Sequence, residues 1–178
     1  MNQLTGKLLV ASPKLDNTMF SKTVVFMFEH GRQGSAGIVV NRPSDETTIA
    51  QLLDDPMLNS SIPLQEPIYH GGPVSERTIS MLHTGEWFSA NTKAVNEDFS
   101  VSSDQFMLEK ISSGNTPSQW LMAAGKCGWV AGQLENEIDK DAWLPLTAKP
   151  AIVFSSGRQS LWELCVDLCA SESIEAWF

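Results

Sequence analysis

The chain has 178 residues, of which 42% are hydrophobic and 19% charged, a composition that fits a single globular domain over residues 1–178. Twelve basic residues against 21 acidic ones give a net charge of −9, and because the basic residues form no cluster, direct nucleic-acid binding is disfavoured. No apolar run approaches the roughly 20 residues of a membrane helix, and the apolar segment near the start is too short for a secretory signal, so a cytoplasmic protein without membrane association is expected.

The first part of the chain predicts buried strands joined by turns. Residues 4–12 are predicted as a first strand and 22–30 (KTVVFMFEH) as a second, which is apolar on both alternating faces and should be covered on both sides. Two glycines in GRQGS form a turn into a third strand, 36–41. Pro43 is expected to end that strand because it lacks a backbone donor.

Four polar residues lie at the two ends of this predicted hairpin. Glu29 and His30 lie near the turn, whereas Asn41 and Arg42 follow the third strand, with Arg42 expected opposite Val24. At about 3.3 Å per residue the two pairs are roughly 20 Å apart, so they cannot form one compact catalytic site. The side chains of Glu29 and His30 also leave opposite faces of the strand. His30 is therefore interpreted as a hydrogen-bonding residue, with a general base as the alternative.

The rest of the chain alternates between predicted strands and helices. Strands are expected within 67–74, 76–87, 98–103, 119–129 and 150–154. Helices are expected from Thr47 or Thr48 to Pro56, after Ser102 or Ser103 to Gly114, over 132–143 and over 158–170. The third of these strands is the weakest, and Phe106 and Ile111, with Met107 or Leu108, are assigned to the apolar face of the second helix. About seven strands and four helices without a regular βαβ rhythm favour an α+β fold.

The histidines and motif spacings do not indicate a metal site, a cofactor or a known catalytic motif. His30, His70 and His83 form no HxH or HExxH pattern, and no GxSxG occurs. The glycines of HGGPVSER lack the spacing of a phosphate-binding loop and are better explained by a sharp turn. We therefore predict no metal and no cofactor, and we leave catalysis open.

The three cysteines are expected to be reduced thiols. Cys165 and Cys169 lie one helical turn apart on an apolar face, which favours core packing over a redox or metal pair. Cys127 follows Lys126, whose charge lowers the pKa of a thiol if the site is exposed, whereas burial raises it.

Five residues are candidates for a small-molecule pocket: Arg42, Asn41, His70, Trp129 and Gln133. Arg42 precedes a proline and can bind a carboxylate or phosphate through two parallel hydrogen bonds, or else pair with an acidic residue of the same fold. His70 can project into a cleft beside its turn. Trp129 and Gln133 can line an aromatic pocket with a polar group, although acidic residues early in the following helix also have a purely structural explanation in the helix dipole.

The segments EHGRQGSAGIVVNRP, HGGPV, MLH and CGWVAGQLENEI occur in that order, and from about Leu8 to Phe154 the chain resembles the AlgH/YqgE family of bacterial proteins. The resemblance implies an α+β fold with a strongly bent, partly barrel-like mixed β-sheet flanked by about four helices. The family motifs fall on the five pocket candidates and on Glu29, His30, Pro43, Gly71, Gly72, Pro73, Gly128, Gly132, Leu134 and Glu135. The family has no established biochemical activity, and some of its members are described as transcriptional regulators.

We therefore expect a regulatory or binding protein that acts on a protein partner or a small anionic ligand through the candidate pocket. The alternative is an enzyme of unrecognised mechanism that acts on an anionic metabolite held by Arg42. Transcriptional regulation is a further alternative, but the chain has no helix-turn-helix signature and no basic face for direct DNA contact.

Overall fold

The computed structural model describes residues 4–54, 61–155 and 160–176, which contain ten strands and five α-helices. The strands are β1 (Lys7–Ala11), β2 (Val24–Gly31), β3 (Gly34–Val39), β4 (Pro43–Thr48), β5 (Pro67–His70), β6 (Val74–Thr84), β7 (Lys93–Ala94), β8 (Phe99–Ser102), β9 (Trp120–Val130) and β10 (Trp143–Thr147). The helices are α1 (Ile49–Leu53), α2 (Gln105–Ser112), α3 (Gln133–Asp139), α4 (Pro150–Val153) and α5 (Leu161–Glu175), and a 3-10 turn, Pro13–Leu15, follows β1.

Eight strands form one continuous path in the order β10-β1-β2-β3-β9-β6-β8-β7. The short strands β4 and β5 pair with each other, and β5 joins β9 in parallel, whereas all other pairings are antiparallel. The fold is therefore α+β with a curled, half-barrel-like mixed sheet, and the fold class predicted from the sequence is confirmed.

Strand β9 connects the two halves of this sheet by changing its partner along its length. Residues 127–130 pair with β3, whereas residues 120–124 and, after a register shift, Lys126 pair with β6. Gly125 lies between these two stretches and has a φ of +80°, a conformation that side-chain-bearing residues rarely adopt. The glycine thus allows the strand to leave the extended conformation where the two halves of the sheet meet.

Strand β2 is covered on both faces, as its uninterrupted apolar sequence predicts. Val24 and Phe26 face a core cluster that includes Leu161 and Cys165 of α5, whereas Val25 and Met27 face a second cluster that includes Leu134 of α3. Helices α3 and α5 therefore lie on opposite faces of the same half of the sheet. A third cluster, formed by residues of α1, α2, β6 and β9, fills the other half.

Several local predictions are wrong. Residues 150–153 form helix α4 and not a strand, because Pro150 occupies the first turn of a helix, where its missing N–H costs nothing. Pro43 begins β4 and does not simply end the strand before it, and β7 and β10 were not predicted. Strand β10 is at a sheet edge, where its proline is tolerated.

The cap and apolar face of α2 also differ from their prediction. Asp104, and not Ser102 or Ser103, is the N-cap, and its side chain accepts the N–H of Met107. Of the residues predicted for the apolar face, Phe106 is 52% exposed, whereas Ile111 and Met107 are buried as predicted. The predicted cap Thr48 of α1 is confirmed, and its predicted stop at Pro56 lies outside the described residues.

Candidate functional site

The tip of the β2–β3 hairpin holds a histidine hydrogen-bonded to a serine. A tight turn joins Gly31 to Gly34, so that His30 lies directly opposite Ser35 in the ladder. The His30 Nδ1 and Ser35 Oγ atoms are 2.7 Å apart, a short hydrogen-bond distance. Ser35 is buried to 8% exposure.

Glu135, in the first turn of α3, lies on the other side of the same imidazole. Its Oε1 atom is 3.4 Å from His30 Nε2. This distance is longer than a hydrogen bond, but the negative charge of the carboxylate favours the tautomer with the proton on Nε2, which leaves Nδ1 to accept the Ser35 hydroxyl. The His30 side chain is 9% exposed and that of Glu135 is 49% exposed, so the imidazole is enclosed while the carboxylate still reaches solvent.

His30 and Ser35 border an open groove of about 550 Å³, called here the hairpin groove. Its other walls come from Glu29, the hairpin turn, Lys126 and Trp129. Arg32 in the turn and Lys126 in β9 give the groove two cationic side chains. The carboxylate of Glu29 is bound to Lys93 at 3.0 Å.

Trp129 and Gln133 have structural partners in α3. The indole Nε1 of Trp129 donates to Glu137 at 3.0 Å, and the amide of Gln133 donates to the same carboxylate at 2.9 Å. Trp143 of β10 also donates to Glu137, at 2.8 Å. Glu137 therefore connects α3 to two strands of the sheet through hydrogen bonds. The amide of Gln133 is part of the same hydrogen-bond network.

Asn41 holds the loop before β2 against the end of β3. Its Oδ1 accepts the N–H of Val24, and its Nδ2 donates to the carbonyl of Lys22, both at 2.9 Å. The residue therefore acts as a clamp on the backbone.

Arg42 clamps the same loop but keeps unused donors. Its guanidinium donates to the carbonyl of Met19 and, at 2.9 Å, to the carbonyl of Ser21. A guanidinium has five N–H groups, so donors remain. Across the described parts of the chain no carboxylate lies within 4.0 Å of Arg42, so the predicted alternative of an ion pair within the fold is not observed.

Arg42 and His70 line one cavity of about 480 Å³, called here the Arg42 cavity. The apolar part of its lining comes from Met19, Phe20 and Val39, and Glu76 adds a carboxylate. Of the five residues predicted to form one pocket, only Arg42 and His70 are brought together here. Trp129 lines the hairpin groove instead, and Asn41 and Gln133 line neither space.

The Gly-Gly-Pro turn beside this cavity is explained by a close backbone crossing. A Cβ on Gly71 would overlap the carbonyl oxygen of Gly125, and one on Gly72 would overlap the carbonyl of Lys126. The N–H of His70 donates to the carbonyl of Arg42 at 2.8 Å. These glycines thus let β5 pass against β9 and fix His70 beside Arg42.

The other family-motif positions have local roles. Leu134 is buried in the core, and Gly132 is the N-cap of α3 with a φ of +79°. Pro73 lines the Arg42 cavity, and Pro43 lines a separate cavity of about 510 Å³ together with Tyr69 and Trp120. Gly128 is exposed on β9.

All three cysteines are buried. Burial raises the pKa of the Cys127 thiol to about 12, against a smaller opposing effect of the Arg42 charge. Burial likewise raises the pKa of Cys165 to about 12 and that of Cys169 to about 11. Cys165 and Cys169 pack in the core, as their spacing predicts.

His83 belongs to a second serine–histidine pair, which is fully enclosed. Its Nδ1 is 2.9 Å from the carbonyl of Thr84, which only accepts, so Nε2 accepts the hydroxyl of Ser102 at 2.8 Å. Ser102 in turn accepts from Thr92 at 2.6 Å. Burial lowers the pKa of His83, and this network is structural.

Sequence reasoning did not single out Ser35. The predicted pairing placed residue 36 opposite His30 and Arg42 opposite Val24, but the turn is tighter than predicted, and the ladder pairs Met27 with Gly37 and His30 with Ser35. A register shift between Met27 and Glu29 adds to the difference, because without it Gly34 would face His30. Within the described ranges, no three His, Cys, Asp or Glu side chains are grouped so that they could hold a metal ion, and no helix is long and apolar enough to cross a membrane.

A curled mixed sheet with helices on its faces and the NRP, GGP and GWVAGQLE segments at its strand ends defines the class of an AlgH-like α+β protein. The chain belongs to the AlgH-like family, whose model matches residues 8–173. A UPF0301 protein of Nitrosospira multiformis is 41% identical over 155 residues, which cover 85% of this chain and 82% of that protein.

Two solved structures have the same fold. The solution structure of the AlgH protein from Pseudomonas aeruginosa gives a TM-score of 0.79 at 32% identity, over 94% of this chain and 89% of that one. Protein DIP2367 from Corynebacterium diphtheriae gives a TM-score of 0.72 at 21% identity, over 93% and 86%. At that identity the second likeness concerns the fold alone.

Proposed function

We propose that this protein is a binding protein for a small anionic ligand, which it holds in the Arg42 cavity and through which it exerts a regulatory effect. The observation that supports the proposal concerns the surroundings of the Arg42 guanidinium. Its guanidinium is partly buried and fixed by two backbone carbonyls, and no carboxylate within the described residues neutralises it. A cation that is partly removed from water gains from an anionic partner, and a fixed guanidinium binds a carboxylate or phosphate with little further loss of entropy.

The size and lining of the cavity support a ligand with an apolar body. Its volume of about 480 Å³ lies in the range typical of small-molecule sites. Phe20 and Val39 offer apolar surface next to the guanidinium, and His70 offers a second hydrogen-bonding group. Glu76 on the same wall disfavours ligands with several negative charges, so a monoanion such as an apolar carboxylate fits best.

Isothermal titration calorimetry with butyrate, phenylacetate and inorganic phosphate tests this proposal. Wild-type protein is expected to bind phenylacetate or butyrate more tightly than phosphate, and Arg42→Ala is expected to lose at least tenfold in affinity for them. Asn41→Ala is the matched control, because it removes a clamp on the same loop but leaves the guanidinium. No heat with any of the three anions, or equal affinities for wild type and Arg42→Ala, would overturn the proposal.

A further inference from the structure

We propose that the hairpin groove is an acyl-transfer site in which Ser35 is the nucleophile, His30 the general base and Glu135 a positioning residue. The substrate class is a small carboxylic ester that carries a negatively charged group near the scissile bond. This site is separate from the Arg42 cavity, and the inference does not depend on the proposed function.

The geometry matches the requirement for an activated serine. A serine hydroxyl becomes nucleophilic when a neutral imidazole nitrogen accepts its proton, and the imidazole needs an acceptor on its second nitrogen to fix its tautomer. Ser35 Oγ is 2.7 Å from Nδ1 of His30, and the carboxylate of Glu135 is 3.4 Å from Nε2. The imidazole thus lies between the serine hydroxyl and the carboxylate, with one ring nitrogen near each.

A histidine–serine pair that only stabilised the hairpin tip would not need the carboxylate of Glu135. The cross-strand pair of His30 and Ser35 is complete within the hairpin, yet Glu135 is supplied by α3, from a distant part of the chain. The protein also contains a serine–histidine pair whose role is structural, His83 with Ser102. That pair is fully buried and its second imidazole nitrogen is bound to a backbone carbonyl. The two pairs therefore differ in their burial and in the group bound to the second imidazole nitrogen. These two features distinguish a reactive serine from a serine packed in the core.

Access and charge favour a substrate in the groove. A Cβ on Gly31 would meet no atom within 4 Å, so the groove beside Gly31 is open, and His30 and Ser35 line the same groove. Arg32 and Lys126 line the same groove and can stabilise the oxyanion that forms when a carbonyl is attacked. Their charges also favour an acidic ester over a neutral one.

The reaction has two balanced steps. Ser35 Oγ forms a bond to the ester carbonyl carbon while its proton moves to His30 Nδ1. The bond from that carbon to the alcohol oxygen then breaks, and the alcohol leaves with the proton from His30. In the second step water gives a proton to His30 and attacks the acyl group, the bond to Ser35 breaks, and Ser35 Oγ recovers the proton as the carboxylic acid leaves.

Covalent labelling with a biotinylated fluorophosphonate tests the proposal on the whole chain. Intact-mass and peptide mass spectrometry should find one adduct, on Ser35, and none on Ser102, the enclosed serine that serves as the internal control. His30→Gln is expected to slow labelling at least 100-fold, because it removes the general base, and Glu135→Gln about tenfold.

Turnover of p-nitrophenyl succinate, an acidic ester, against p-nitrophenyl acetate tests the substrate class. The acidic ester is expected to have the higher kcat/KM, with activity lost in Ser35→Ala. No adduct on Ser35 of the wild-type chain, or labelling of Ser35 and Ser102 alike, would overturn the proposal. Neither observation depends on a variant that folds.

Discussion

Gly72 in the Gly-Gly-Pro turn lies against the carbonyl of Lys126 in β9, so closely that a Cβ on Gly72 would overlap it. The φ of Gly72 is +149°, which an L side chain rarely adopts. We predict that Gly72→Ala costs about 3 kcal/mol of unfolding free energy, from backbone strain and overlap together. Urea denaturation measures this loss.

Gly128→Ala in the same strand is the control for that substitution. A Cβ there would meet only the Val74 side chain, at 3.9 Å, an ordinary contact. Its cost is expected to stay below about 1 kcal/mol. Equal losses for the two variants would show that the close crossing does not stabilise the fold.

The apolar pattern of β2 could be interpreted from sequence because it reflects a local requirement, whereas the glycines of HGGP predicted only a turn and not their close approach to β9. KTVVFMFEH is apolar on both faces, and α5 and α3 do cover both. Helix α4 could not be recognised, since four apolar residues after a proline satisfy a short strand and a helical turn equally well. The polar strand β4 pairs with β5 through its backbone and left no apolar pattern to detect.

Glu137 is expected to contribute strongly to stability. It accepts the indole N–H groups of Trp129 and Trp143, which are 7% and 1% exposed. Glu137→Ala leaves both donors without this acceptor, so we predict a loss of about 2–4 kcal/mol. Glu137→Gln keeps one acceptor oxygen and should lose clearly less. Urea unfolding followed by tryptophan fluorescence tests this predicted order of stability. Equal stability of the two variants would contradict the prediction.

His83 predicts a pH dependence of stability. Burial lowers its pKa in the folded chain below the ordinary value of 6.5, so below pH 6.5 the unfolded chain binds a proton that the folded chain does not. The contribution of His83 to stability is therefore fully present above pH 6.5 and is lost as the pH falls from there towards its folded pKa. Unfolding free energies at pH 7.5, 6.5 and 5.5 should decline at the acidic end, by at most about 1.4 kcal/mol per pH unit from this group.

His83→Gln isolates that contribution, because glutamine does not titrate. The variant should be less stable than wild type at pH 7.5 but should decline less between pH 6.5 and 5.5. An equal decline in both proteins would assign the pH dependence to other groups.

The cysteines are expected to be unreactive in the folded protein. The pKa of Cys127 is raised by burial to about 12, so its thiolate is scarce at pH 8 despite the neighbouring Lys126. Iodoacetamide at pH 8 should modify none of the three cysteines in the native chain and all three in urea. Rapid native modification of Cys127 would contradict the enclosed position described for it.

The candidate site shows where sequence reasoning reaches its limit. Arg42 and His70 could be selected from their places before and beside prolines, and the structure brings them together. Trp129 and Gln133 were selected on equally good chemical grounds, but Glu137, four residues after Gln133, takes up their hydrogen bonds. Ser35 was missed because the length of the turn and a register shift in β2 together decide which residue faces His30, and the residue pattern specifies neither.

Native mass spectrometry of protein purified gently from its own cell extract tests the central claim most directly. Wild type and Asn41→Ala are expected to retain a bound small acidic compound that Arg42→Ala has lost. Bare protein in all three samples, or the same bound mass in all three, would contradict the assignment of Arg42 as the anchor of an anionic ligand.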